Sequence, residues 1–300
     1  MMRAKETRLW TALITPFTAD GSGVDYATLG DLLKRQDAAK NGVLILGSTG
    51  ESLSLSDDEK REIVRFTLAQ KLGVPVMVGI PNINMAQTLA WLEFCRGCGA
   101  DAYLAATPAY TKPGAEGQIG WFKAVFDAVD APVMLYNVPS RTGSTLSPQV
   151  LRALQNHKNF WAVKESSGGL DMYIEYTTAA PNAALYCGDD NMLPSAVPLG
   201  ACGLVSVASN VWAEACHSYV TACRENAYRG QEWWSASKAL FTASSPVPVK
   251  ALMHHRGMIP NAGVRLPLSA RDLTSLDGLK AADQQIAEWH REFKAQGKAA

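Results

Sequence analysis

Apolar residues in this chain gather into short dense runs: TALITPF (11–17), GVLILG (42–47), PVMVGI (75–80), ADAYLAA (100–106), PVMLYNV (132–138), FWAVKE (160–165), AALYCG (183–188) and CGLVSV (202–207). Most of them are apolar on both faces. That pattern predicts strands buried on both sides, as in a parallel sheet covered by helices, whereas strict alternation would indicate a sheet with one wet face. Amphipathic stretches separate the runs. The clearest is 56–73, where Ser56 caps, Glu59 stands three residues on, and Gly73 stops the helix before Pro75. Eight strand–helix units predict an α/β fold of the (β/α)8 TIM barrel type. A doubly wound sheet would need a glycine-rich phosphate turn after the first strand, and TALITPFTADG contains no G-x-G-x-x-G.

Past residue 210 the strand pattern gives way to helical runs: VWAEACHSYVTACRENAYRG, QEWWSASKALFTAS, PVPVKALMHHRGM and LKAADQQIAEWHREFKAQ. The predicted organisation is a catalytic barrel over 1–225 and a C-terminal helical domain over 226–300. No Gly/Ser-rich linker separates them, so the tail is expected to pack on the barrel or on another subunit. Trp233 and Trp234 fit that packing better than base stacking.

Charge narrows the partners. Twenty-eight basic and 28 acidic residues balance, with no run of Lys or Arg longer than a pair, so nothing attracts nucleic acid or an anionic membrane surface. No segment reaches the ~18 apolar residues of a membrane span, and MMRAKETRLW lacks the apolar core of a secretion signal. A cytoplasmic location and small-molecule partners are the expectation. The six cysteines are expected as free buried thiols; Cys95-x-x-Cys98 lies in a helical stretch without a second pair at zinc spacing. The five histidines show no metal-ligand spacing, and no metal is expected.

Candidate chemistry gathers at the carboxyl ends of the predicted strands, where parallel barrels carry their active sites. Lys164 ends the sixth. A lysine stripped of water there has a lowered pKa and can attack a carbonyl as the neutral amine. The competing reading is a buried lysine paired with Glu165. Tyr136 ends the neighbouring strand and could shuttle protons to and from that amine. Gly47-Ser48-Thr49-Gly50 offers backbone N–H groups and two hydroxyls to a carboxylate or phosphate, or forms a simple capped turn. Arg141 either grips a second carboxylate in bidentate fashion or is a solvated loop arginine.

In combination, G-S-T-G-E at 47–51, Tyr136 of YNVP and Lys164 of VKES resemble the pyruvate-dependent lyase superfamily, which includes N-acetylneuraminate lyase and the dihydrodipicolinate synthases. The match runs from about residue 9 to residue 268. The resemblance implies a Schiff base between Lys164 and pyruvate, with Ser48 and Thr49 on the pyruvate carboxylate and Ser48 in a proton relay with Tyr136. It also implies that Tyr110 of TPAYTKP reaches across from a neighbouring subunit, so that a homodimer completes the site, within an expected homotetramer. Gly188 and Val205 match positions lining the pyruvate pocket. S-R-T-G after YNVP is similar to the dihydrodipicolinate synthases, whose arginine, here Arg141, receives the carboxylate of L-aspartate 4-semialdehyde. The implied activity is a carbon–oxygen lyase/synthase reaction in lysine and diaminopimelate biosynthesis, with no cofactor beyond the imine itself.

Other readings share parts of this set. A 2-keto-3-deoxy sugar-acid aldolase or a hydroxyproline-derived dehydratase would use Lys164 and Tyr136 but not Arg141. A non-catalytic ligand sensor would use Lys164 only as a charge, and a pyridoxal phosphate enzyme would need a phosphate cup beyond GSTGES. The family's lysine-inhibited members carry a His, an Asn, a Glu and a tandem Tyr pair where this chain has Asp57, Ile83, Gln87 and Ala109. Weak or absent lysine feedback is the expectation.

Overall fold

The computed structural model describes residues 2–225, 228 and 230–296. Its eight strands, β1 (Leu9–Ala12), β2 (Gly42–Ile45), β3 (Val76–Gly79), β4 (Ala102–Ala106), β5 (Val133–Asn137), β6 (Phe160–Glu165), β7 (Ala184–Cys187) and β8 (Ala201–Ser206), pair in parallel with their chain neighbours. β1 also pairs with β8, closing a barrel. Each strand is followed by helix: α1 (Tyr26–Ala38), α2 (Asp57–Ala69), α3 (Met85–Cys98), α4 (Ala115–Asp127), α5 (Pro148–Leu154), α6 (Asp171–Ala179), α7 (Leu193–Ala196) and α8 (Ala213–Arg224).

Two local expectations shift. The first strand begins before TALITPF, because Leu9 and Trp10 find register partners in Leu204 and Gly42. The chain then leaves the sheet where Asn210 Oδ1 accepts from the Ile14 N–H at 3.0 Å. Helix α2 has the expected reciprocal cap between Ser56 and Glu59 but ends at Ala69, short of Gly73.

Strand residues divide between two cores. Met134, Tyr136, Ala162, Tyr186 and Val205 fill the barrel interior with Trp10, Leu44 and Met77. Leu135, Val163, Leu185 and Leu204 belong to the layer beneath the helices. Because side chains alternate along a strand, each strand contributes one set to either core, which is why its sequence is apolar throughout.

Beyond α8 come α9 (Gln231–Ala239), α10 (Val247–His255) and α11 (Asp277–Ala295). The anticipated boundary at 225/226 runs into residues 226, 227 and 229, which lie outside those described. Trp233 of α9 is buried and stacks on Tyr219 of α8 at 4.2 Å, while Trp289 of α11 meets Trp233 edge-on at 5.4 Å. Trp234 instead is half exposed, with Lys238 over its ring. Among the described residues no helix is long and apolar enough to cross a membrane, and no cluster of His, Cys, Asp and Glu could hold a metal ion.

Candidate active site

The strand register decides the central question about Lys164. It stands opposite Tyr136 on β5 and Tyr186 on β7, and it shares the inward face of β6 with Ala162 two residues before it. Glu165 therefore points to the other side. It is fully buried beneath the helices, where it accepts from Asn137 Nδ2 at 2.7 Å and from the Ser167 N–H at 2.6 Å. Burial pushes its carboxyl pKa up, against the pull of those donors. The Lys164–Glu165 pairing considered from the sequence does not form.

Lys164 is 6% exposed, and its Nζ lies 4.2 Å from the centroid of the Tyr136 ring. Gly188 makes room for it. A Cβ built on Gly188 would stand 2.6 Å from Lys164 Cε and 1.8 Å from Ser166 Oγ, so any side chain there would force both groups to move, and glycine is what lets them approach the end of β7 together. Val205 is fully buried in the same interior cluster as Tyr136. Asp189, next along, is half-buried, and burial raises its carboxyl pKa to about 6 although the Lys164 charge draws it down.

A cavity of about 420 Å³ opens beside Tyr136, lined also by Ser48, Thr107, Val138 and Arg141. Lys164 is not among the residues that line it, but Tyr136, against which its amine lies, is. Ser48 is exposed on the wall of this cavity, whereas Thr49 is buried and does not line it. Ser48 and Tyr136 share the cavity without a direct hydrogen bond among the described residues. Arg141 sits in a single helical turn, Pro139–Thr142, closed by Gly143 at φ 72°. Thr142 Oγ1 donates to the Ser144 carbonyl at 2.8 Å, and Thr107 Oγ1 lies 3.2 Å from it. The Tyr110 N–H donates to the Thr142 carbonyl at 3.1 Å, so Tyr110 and Arg141 are carried on one connected pair of loops. Tyr110 is 93% exposed, at φ 68°, a left-handed conformation that non-glycine residues rarely adopt. Exposed Leu53 and Ile83 line the cavity that its loop borders.

Two groups that sequence reasoning passed over support the G-S-T-G-E loop. Glu51, at φ 54°, is buried and pairs with Lys250 of α10 at 2.5 Å. Its other oxygen accepts from the Arg265 N–H at 2.9 Å, and Lys250 donates also to the Gly263 carbonyl at 2.8 Å. Burial lowers the Lys250 pKa while Glu51 opposes the shift. The signal was present as a glutamate in a small-residue loop and a lysine in the apolar run PVPVKALM, but nothing in the sequence joins two residues 199 positions apart.

The profile of the dihydrodipicolinate synthetase family matches residues 5–286. A 4-hydroxy-tetrahydrodipicolinate synthase of Wolbachia pipientis subsp. Culex pipiens (strain wPip) is 48% identical over 287 residues, covering 95% of this chain and 98% of that protein. Among solved structures, the 4-hydroxy-tetrahydrodipicolinate synthase of Methylacidiphilum fumariolicum SolV superimposes with a TM-score of 0.89 at 27% identity, over 98% of this chain and 99% of that one. The chloride-inhibited dihydrodipicolinate synthase of Acinetobacter baumannii, solved with pyruvate, gives 0.86 at 28% identity, over 94% and 99%.

Proposed function

The chain belongs to the dihydrodipicolinate synthetase family, and we propose from that membership, together with an inward-facing Lys164 beside Tyr136, how its residues divide the work. It is an enzyme that condenses pyruvate with L-aspartate 4-semialdehyde to 4-hydroxy-tetrahydrodipicolinate, in lysine and diaminopimelate biosynthesis. The placement of Lys164 is the observation that carries the assignment of the imine to this residue.

In this reading Lys164 attacks the keto carbon of pyruvate, water leaves, and an iminium forms. Loss of a methyl proton gives the enamine, the carbon nucleophile that makes the new bond; two easier steps replace one hard one. Tyr136 is the proton carrier, supported by its ring lying against Lys164 Nζ. Ser48 and Thr49 hold the pyruvate carboxylate, while Gly188 and Val205 shape the pocket. Arg141, on the cavity wall, takes the carboxylate of the semialdehyde, a bidentate recognition that a lysine could not replace. Tyr110 extends the Ser48–Tyr136 relay from a second copy, a role its near-complete exposure leaves it free to fill. The working unit is thus at least a homodimer, and a homotetramer in the family pattern, acting in the cytoplasm without a cofactor. Ile83, apolar and half exposed, favours weak or absent inhibition by lysine.

The test is mass spectrometry of peptides after pyruvate and borohydride treatment. A reduced pyruvate adduct on Lys164, diminished when aspartate semialdehyde is supplied, is the expected result; no adduct would remove the imine role of Lys164. Arg141→Ala separates substrates: an unchanged kcat/KM for the semialdehyde would take the carboxylate away from this arginine.

A further inference from the structure

Ser166 stands two residues beyond Lys164, and side chains two apart share one face of an extended strand. Its N–H donates to the Asn137 carbonyl at 2.9 Å, which continues the β5–β6 pairing one step past the last residue of β6. Ala162, Lys164 and Ser166 therefore form one inward-facing column, with Ser166 nearest the open end. The long Lys164 side chain climbs the same way. Its Cε and the Ser166 Oγ both press against Gly188, close enough that a Cβ there would meet each of them.

The Ser166 side chain is nonetheless without a partner. The residue is 8% exposed, and its Oγ accepts from and donates to nothing among the described residues. A buried hydroxyl left in that state is unfavourable, and a ligand atom that accepts from it relieves the cost. Other buried hydroxyls share the condition, among them Thr67, Ser237 and Ser245, but Ser166 is the one that meets Gly188 together with the reactive lysine.

We propose that Ser166 is a catalytic hydroxyl for the second half of the condensation, donating a hydrogen bond to the aldehyde oxygen as it becomes the 4-hydroxyl of the product; this rests on the Schiff-base reading of Lys164. In that step the enamine carbon attacks the aldehyde carbon. One carbon–carbon bond forms, the carbonyl π bond breaks, its electron pair moves onto oxygen, and the enamine nitrogen returns to iminium. The oxygen takes up the proton that left the pyruvate methyl group, delivered by Tyr136. Ser166 supplies no net proton; it stabilises the charge that develops on oxygen before that delivery. Gly188 brings Ser166 Oγ and Lys164 Cε to one spot, so the hydroxyl stands beside the carbon that carries the reacting amine, where the electrophile must approach once the pyruvate imine is made.

Ser166→Ala and Ser166→Thr test the assignment, with two readouts for each: borohydride trapping of pyruvate on Lys164, and steady-state kinetics in both substrates. Ser166→Ala is expected to form the pyruvate adduct in normal yield, with its pyruvate KM within about twofold, while kcat/KM for the semialdehyde falls roughly 100-fold, the usual effect of losing one donor to a developing oxyanion. Ser166→Thr keeps the hydroxyl and is expected to recover most of that loss, which a merely structural defect would not allow. Unchanged semialdehyde kinetics in Ser166→Ala would overturn the proposal, as would an equal loss of adduct formation and turnover. Failure of the wild-type enzyme to form an adduct at all would instead overturn the reading of Lys164.

Discussion

Replacing Lys250 by methionine should be among the most damaging changes outside the catalytic set. Lys250 and Glu51 have side chains 1% and 0% exposed, and their charged atoms stand 2.5 Å apart. Methionine fills a similar volume but strands the Glu51 carboxylate in the interior, with the Arg265 N–H as its remaining hydrogen bond. Breaking a buried pair from one side costs about 3–5 kcal/mol, and loss of the donor to the Gly263 carbonyl adds about 1 kcal/mol. For a 300-residue chain the midpoint of thermal unfolding should drop by roughly 6–10 °C. Urea unfolding of Lys250→Met, Glu51→Gln and the double variant gives the coupling directly. The double variant should regain at least half of the loss, because no unpaired charge is left buried. The loop that Glu51 anchors also carries Ser48 and Thr49, so Lys250→Met should raise the pyruvate KM as well. A Lys250→Met protein within about 1 kcal/mol of wild type, or a double variant no better than the single, would refute the argument.

If Lys164 carries the imine, Gly188→Ala should retain the fold yet lose pyruvate trapping by at least about 100-fold, since a methyl group 2.6 Å from Lys164 Cε must displace that side chain; normal trapping would show that the lysine reaches the substrate by another path. Co-expressed Lys164→Ala and Tyr110→Phe chains, each weak alone, should together recover roughly a quarter of wild-type activity if Tyr110 serves the partner's site, because half the dimers are hybrids with one complete site; activity no higher than the sum of the parents would place Tyr110 outside the relay. Burial raises the Asp189 carboxyl from its ordinary 3.8 to about 6, so the native state holds its proton more tightly than the unfolded chain. Its contribution is fully present below pH 3.8 and is lost as pH rises to about 6. Asp189→Asn should remove that slope and leave the protein more stable at pH 7 by about 1–2 kcal/mol after screening at the mouth, as read from urea unfolding at pH 4, 5, 6 and 7; parallel pH profiles for the two proteins would contradict it.

Much of this molecule is legible in one dimension because strands buried on both faces have no choice but to be apolar throughout. FWAVKE names β6 to the residue, and GVLILG, PVMLYNV and AALYCG name their strands to within a residue or two at each end. Reciprocal capping by Ser56 and Glu59 is equally local, requiring only residues three apart. The start of β1 was misread because Leu9 and Trp10 are held by partners on β2 and β8, which no local pattern announces.

The sequence likewise marks which chemical groups stand at strand ends: Lys164, Tyr136, Arg141 and the hydroxyls of the G-S-T-G loop. Direction and company are tertiary matters. Whether Lys164 or Glu165 faces the barrel interior depends on the phase of β6 against β5 and β7, since a shift of one residue would exchange them. The Glu51–Lys250 pair exists because the C-terminal helices fold back over the β2 loop, and the bare hydroxyl of Ser166 acquires meaning only from Gly188 on the next strand. Local sequence determines which residues can be buried, through hydrophobicity and spacing. Closure of the barrel brings distant groups into one small volume, and only that closure turns Lys164 to face the interior beside Tyr136 while Lys250 is paired off with Glu51 in structural support.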